Sequence, residues 1–228
     1  MTTTVSTTVS TTTPRQFGGH RPTSRSRVAT AVGILFVVQM VTAMFGTSLI
    51  QAFVDGTTDR TPMTVGVLLM MCSGAAVVAI GLLMYGVLKG TYPRLAASYP
   101  ALRVAECLVS AACGVYLLAR LEVVPNHLLW VYIPTGLGGI VLCYLLLISR
   151  LVPRPIALLG LTGYVCLTVG VPLDLAGVLD MGAGNGLLLV VPGGLFELVF
   201  LPIWLIARGF RALPPTEQVR SLAPVTSD

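Results

Sequence analysis

The stretch GLLLVVPGGLFELVFLPIWLIA, Gly186 to Ala207, decides how the rest of this chain is read. It is apolar from end to end except for one carboxylate, Glu197. At 1.5 Å of rise per helical residue it covers about 33 Å, enough to cross the roughly 30 Å hydrocarbon core of a bilayer. Glu197 sits about 16 Å along that rise, close to the midplane. A carboxylate at that depth must be protonated, paired or next to water, because insertion alone costs about 2.5–3.5 kcal/mol. On an ideal α-helix Gly193, Glu197, Phe200, Trp204 and Arg208 share one face. This predicts that Glu197 points into a bundle, with small residues on one side of it and aromatic bulk on the other.

Five similar runs precede this one: Val28 to Phe53, Thr64 to Leu88, Ala101 to Leu121, Leu128 to Ile148 and Ile156 to Leu179. The chain is 55% hydrophobic and 10% charged, whereas soluble domains carry about 25% charged residues. Backbone groups inside hydrocarbon must be satisfied within the segment, and these runs lack the period-2 alternation of barrel strands. The expected fold is therefore all-α, a polytopic transmembrane bundle of six helices. Residues 1–27, rich in Ser and Thr with interspersed arginines, and residues 212–228, with several prolines, are expected to be disordered tails flanking a membrane domain at 28–211.

Charge placement sets the expected orientation. Arg15, Arg21, Arg25 and Arg27 precede the first run, Lys89 and Arg94 fill the second connection, Arg150 and Arg154 the fourth, and Arg208, Arg211 and Arg220 follow the last. In a six-span chain all of these share one side. The other side holds Arg60 and Arg120 together with Asp55, Asp59, Glu122 and Asp180. The positive-inside rule then places both termini in the cytoplasm. Thirteen arginines against one lysine suggest a high-GC genome, so the expected location is a bacterial plasma membrane. The expected partners are the lipid bilayer and, at the basic ends, anionic lipid. The basic residues form no patch with interleaved aromatics, so nucleic acid is not an expected partner.

Polar residues inside the runs are the candidates for function. In the third run Arg103, Glu106, Ser110, Cys113 and Arg120 fall within an arc of about 100°, predicting a helix that is polar along one face. Arg103 and Glu106 stand three residues apart, the spacing of an intrahelical ion pair that can snorkel to the interface if it lies near a helix end. Arg103, Glu106, Ser110 and Glu197 form the expected intramembrane polar cluster, with Arg103 or Ser110 bridging the depth difference between the two glutamates. Asp174, on one face with Gly163 and Gly170, is a secondary candidate near the outer end of the fifth run. Pro134, Pro172 and Pro192, each near glycines, interrupt the last three runs. Such breaks make binding sites in some transporters and are also common in ordinary membrane bundles.

Signatures of chemistry are otherwise missing. The five cysteines all lie in apolar runs without a CxxC pair, which implies neither a disulfide framework nor a zinc site. With His20 and His127 as the two histidines, bis-histidine haem ligation within the bundle and an HExxH site are excluded. Neither GxSxG nor GxxxxGK[ST] occurs, and GAGNG at Gly182 to Gly186 lacks a preceding strand. No cofactor, metal or catalytic residue is expected, and the chain is read as non-enzymatic.

Three segments, PGGLFELVFLPIWLIARGF (Pro192 to Phe210), SRLVPRPIALLGLTGY (Ser149 to Tyr164) and ALRVAECLV (Ala101 to Val109), resemble the DUF4386 family of bacterial integral membrane proteins. The resemblance extends from Arg27 to Arg211 and leaves out both tails. Arg103, Glu106, Pro153, Glu197, Trp204 and Gly209 are the family-like positions, none with an assigned role. The family's function is unknown, so the resemblance implies architecture alone. Two functional expectations follow. One is a structural or regulatory membrane protein in which the polar cluster specifies packing. The other is a small transporter or proton-coupled carrier using Glu197 at the midplane. A hydrated pocket reaching Glu197 from one face favours the second, and a dry, fully paired Glu197 favours the first.

Overall fold

The computed structural model describes residues 24–90, 92–182 and 184–211; both expected tails lie outside them except for residues 24–27, which begin the first helix. Five continuous helices come first: α1 (Ser24–Val54), α2 (Arg60–Leu88), α3 (Pro93–Arg120), α4 (His127–Ser149) and α5 (Arg154–Leu175). The sixth span, Gly184–Arg208, is assembled from pieces. A 3₁₀ segment (Gly184–Leu189) leads into a short α turn, α6 (Val191–Leu195). A π-helical turn (Phe196–Phe200) then hands over to α7 (Leu201–Arg208). All six spans are long and apolar enough to cross a membrane.

The boundaries differ from the hydropathy reading in two informative places. α3 begins eight residues before the apolar run, because Pro93 occupies its first turn, where a missing N–H costs nothing, and the polar segment after it winds into the same helix. α5 stops at Leu175 rather than Leu179, where Gly177 adopts φ +70° and donates its N–H to the Asp174 carbonyl, ending the helix with a left-handed turn. The connections at 55–59, 89–92, 121–126, 150–153 and 176–183 are short, so consecutive helices run antiparallel.

The spans close into a ring. Each helix packs on its two neighbours in sequence, and the sixth span returns to α1 through α7 and the π turn. One face of the ring carries Lys89, Arg94, Arg150, Arg154 and Arg208 and is called the basic face here; the other carries Asp55, Asp59, Glu122 and Asp180 and is called the acidic face. The core is concentrated towards the basic face, where Phe36, Met84, Leu88, Tyr99, Leu145, Leu146 and Leu205 are almost completely buried. A smaller cluster of Met63, Val67 and Leu117 joins α2 to α3 near the acidic face. The outer surface is itself apolar, with Leu82 of α2, Leu108 and Val115 of α3 and Ile203 of α7 exposed. A ring greasy on its outside and polar at its centre suits hydrocarbon as solvent.

Candidate functional site at the centre of the ring

Arg103 lies ten residues into α3 and Glu106 thirteen, so the early start of the helix puts both near its middle, about 15–20 Å from its beginning. The expected snorkelling pair near a helix end is therefore corrected. Arg103 is 2% exposed and Glu106 9%. The Arg103 guanidinium forks between two carboxylates on different spans: Nη1 donates to Glu106 Oε2 at 2.6 Å, and Nη2 to Glu197 Oε1 at 3.4 Å. Arg103 thus bridges the two glutamates as expected, and Ser110 takes no part in the bridge.

Three residues that sequence reasoning did not select complete the cluster. Gln39 of α1, 6% exposed, donates from Nε2 to Glu197 Oε2 at 2.9 Å. Its own carbonyl accepts from Ser73 Oγ of α2 at 3.0 Å. The Tyr164 hydroxyl of α5 donates to Glu197 Oε1. The Arg103 guanidinium also lies over the Tyr99 ring, 5.2 Å from its centroid. A Gln and a tyrosine inside apolar runs, and a second tyrosine just ahead of one, carry little signal in a sequence. Only the depth shared by Gln39, Arg103, Tyr164 and Glu197 would have singled them out, and depth depends on where each helix begins.

The π turn sets the direction of Glu197. Its wider winding places fewer degrees between successive residues than an α-helix does, which turns the following helix relative to the preceding one. Leu201, Pro202 and Leu205 come into line beneath the buried Phe196 and Glu197. Phe200, 45% exposed, and Arg208 turn outwards. The expected common face of Glu197, Phe200 and Arg208 is corrected accordingly. Trp204 packs at the rim of the core, with the Arg211 guanidinium 5.3 Å from its ring centroid.

Glycine brings this span close to α5. A Cβ on Gly163 would lie 2.6 Å from Gly193 Cα and closer still to Gly193 N, so α5 and α6 touch backbone to backbone just above Glu197. Gly139 of α4 leaves the room that the Tyr164 ring occupies. Asp174 lies apart from the cluster. Its carboxylate accepts the Met181 N–H at 2.7 Å and ties down the connection after α5. Ser110 has no bond to the cluster and lines the space beside it.

That space is a cavity of about 1000 Å³. Glu106 and Glu197 line its floor with Gln39 and Tyr164, while Asp55, Thr57, Asp180 and Gly182 line it where it reaches the acidic face. Along one wall Gln39, Ala43, Thr47 and Gln51 recur every fourth residue as a single stripe of α1, continued by Asp55 just past the helix end. Towards the basic face α1 is sealed against α7, where a Cβ on Gly33 would meet the Pro202 carbonyl at 3.1 Å. Glu197 is consequently both paired and beside open volume.

Among known proteins, the model of DUF4386, described as a domain of unknown function, matches residues 115–209. This stretch includes Tyr164 and Glu197 and leaves out Gln39, Arg103 and Glu106. The resemblance read from the sequence is supported over 115–209, a narrower range than Arg27 to Arg211. No curated protein and no solved structure matches the chain.

Proposed function

We propose that this chain, whose residues 115–209 match the DUF4386 model, is a solute-binding membrane protein of the carrier kind, with the Arg103–Glu106–Glu197 cluster as the floor of its binding cavity. The supporting observation is the asymmetry of the ring. About 1000 Å³ of space extends from the acidic face down to Glu106 and Glu197, while the half towards the basic face is packed. Ligand pockets commonly occupy roughly 300–1,000 Å³, so the cavity is large enough for a small organic solute. A carrier must reopen on its other side, and the pieces for a bend stand beside the floor: Pro192, Gly193 and Gly194 above Glu197 and the π turn around it. Two carboxylates facing one guanidinium carry a formal charge of −1 together when both are ionised, so uptake of one proton neutralises the cluster. This is the basis for proton coupling in the proposal.

The same reading places the basic face in the cytoplasm, by the positive-inside rule. There the exposed Lys89, Arg94, Arg150, Arg154 and Arg208 suit anionic lipid headgroups. No enzymatic step is assigned to the site.

One observation favours a static role instead: Glu197 accepts from Gln39, Arg103 and Tyr164 together, which is what a packing device requires. Cysteine labelling separates the two readings. In a chain with the native cysteines replaced by alanine, Ser48→Cys and Gln51→Cys are exposed to a membrane-impermeant maleimide on intact cells. A carrier is expected to label at both positions from outside, and to label Phe36→Cys from the cytoplasmic side in inverted vesicles during part of its cycle. Protection of Ser48→Cys and Gln51→Cys from both sides sinks the binding-cavity reading. Permanent protection of Phe36→Cys alone restricts the protein to binding without transport.

A further inference from the structure

The chemistry of the cavity wall restricts what it can hold. Four carboxylates line it, Asp55 and Asp180 at the mouth and Glu106 and Glu197 on the floor, and no Lys, Arg or His is among its described lining residues. The nearest cation, Arg103, stands behind the two glutamates, with its own bonds directed to them. Arg103 leaves part of this negative charge unanswered. Glu106, only 9% exposed, gives Oε2 to the guanidinium, and the Thr135 hydroxyl, which donates to the Val131 carbonyl, stands within reach of the same carboxylate. A carboxylate that lines a large cavity attracts a donor or a positive charge placed there.

The rest of the wall is mostly apolar and adaptable, with Thr47, Gln51, Ser73 and Thr135 set among its apolar side chains. Met40, Met44 and Met70 lie along it with Val77, Leu128 and Leu167. Methionine is unbranched and polarisable, and it adapts to ligands of differing shape. Tyr132 and Tyr164 add aromatic rings that attract cations over their faces. Inorganic cations prefer a compact cage of oxygen ligands, which a cavity of about 1000 Å³ with two floor carboxylates does not supply.

We infer that the cavity takes an organic cation with an apolar body, its charged end held at Glu106 and Glu197 and its body against the methionine wall. This inference rests on the solute-binding reading and names the class of solute. Anions are disfavoured by the charge of the wall, and neutral solutes of the same shape lack the attraction at the floor.

The test uses two water-soluble probes of similar size and opposite charge, phenyltrimethylammonium and benzenesulfonate, on the full chain in nanodiscs of zwitterionic lipid. Protection of Gln51→Cys from the maleimide reports occupancy. Phenyltrimethylammonium is expected to slow labelling at concentrations at least tenfold lower than benzenesulfonate requires. Glu106→Gln, with its melting temperature checked, is expected to remove that preference. If that variant does not fold, Asp55→Asn combined with Asp180→Asn at the exposed mouth is expected to weaken the cation's protection several-fold at low salt and not at high salt. Equal protection by both probes, or a preference untouched by these substitutions, overturns the inference while Gln51→Cys still labels. Failure of Gln51→Cys to label overturns the underlying reading as well, so the two failures are distinct.

Discussion

Arg103 Nη2 and Glu197 Oε1 lie 3.4 Å apart at the centre of the ring, although 94 residues separate them in the chain. The pair ties the third span to the last, and with the Gln39 and Tyr164 contacts it draws α1 and α5 to the same point. Desolvating an ion pair is expensive, and such a pair is retained where its partners satisfy one another. Here the guanidinium serves two carboxylates, and Glu197 is served by three donors.

Removing the guanidinium strands both carboxylates. Arg103→Leu is expected to destabilise the protein by about 3–5 kcal/mol, the range for breaking a buried ion pair. Combining it with Glu106→Gln and Glu197→Gln removes the stranded charges and is expected to recover most of that loss. Unfolding in mixed micelles with increasing denaturing detergent measures both. A triple variant as unstable as Arg103→Leu shows that the guanidinium acts by packing rather than charge.

Glu197→Gln and Glu197→Leu separate shape from hydrogen bonding. The glutamine retains an acceptor for Tyr164, and a turn of the Gln39 amide restores its bond, so a loss of about 1 kcal/mol is expected. The leucine leaves Gln39, Arg103 and Tyr164 without their acceptor and is expected to cost several kilocalories more, by the same unfolding measurement. Equal stability of the two variants would show that these three contacts contribute little.

Three glycines test the close approaches. A methyl at Gly163 meets the backbone of Gly193, and one at Gly139 meets the Tyr164 ring, whereas Gly194 has open space around its Cβ position. Gly163→Ala and Gly139→Ala are expected to lower stability by about 1–3 kcal/mol, the usual cost of overpacking. Gly194→Ala is expected to change it by much less. In Gly139→Ala the displaced tyrosine gives up Glu197, so a further Tyr164→Phe substitution should cost far less there than in the parent chain. Additive effects would argue against the displacement.

The π turn predicts an asymmetry in deletions. Removing Val199 leaves a length that an ordinary α-helix accommodates while keeping Leu201 and Leu205 beneath Glu197. Removing Ile206 instead shifts everything after it by about 100° with no such compensation. The first deletion is expected to yield a folded chain with a cooperative melt, and the second to lose substantially more stability. Comparable losses would mean that the turn's width itself is required.

Much of the architecture was legible because bilayer thickness acts on short windows of sequence. The six apolar runs, the all-α class and the anomaly of Glu197 follow from local composition and a rise of about 1.5 Å per residue. The Arg103–Glu106 pair is equally local, being three residues apart on one helix. What the sequence did not convey was depth. α3 begins in a polar segment that hydropathy discounts, and that start moves Arg103 and Glu106 from a helix end to its middle. Nor did it convey rotation past Glu197, because a π turn is chosen by the packing around it and has no composition of its own. By itself, then, the sequence determined a six-span membrane bundle with a carboxylate near its midplane. Only the tertiary structure decided that Gln39 and Tyr164 meet that carboxylate, that one guanidinium serves two glutamates, and that a cavity connects them to the acidic face. Those outcomes depend on the relative heights and rotations of helices far apart in the chain, which no local window contains.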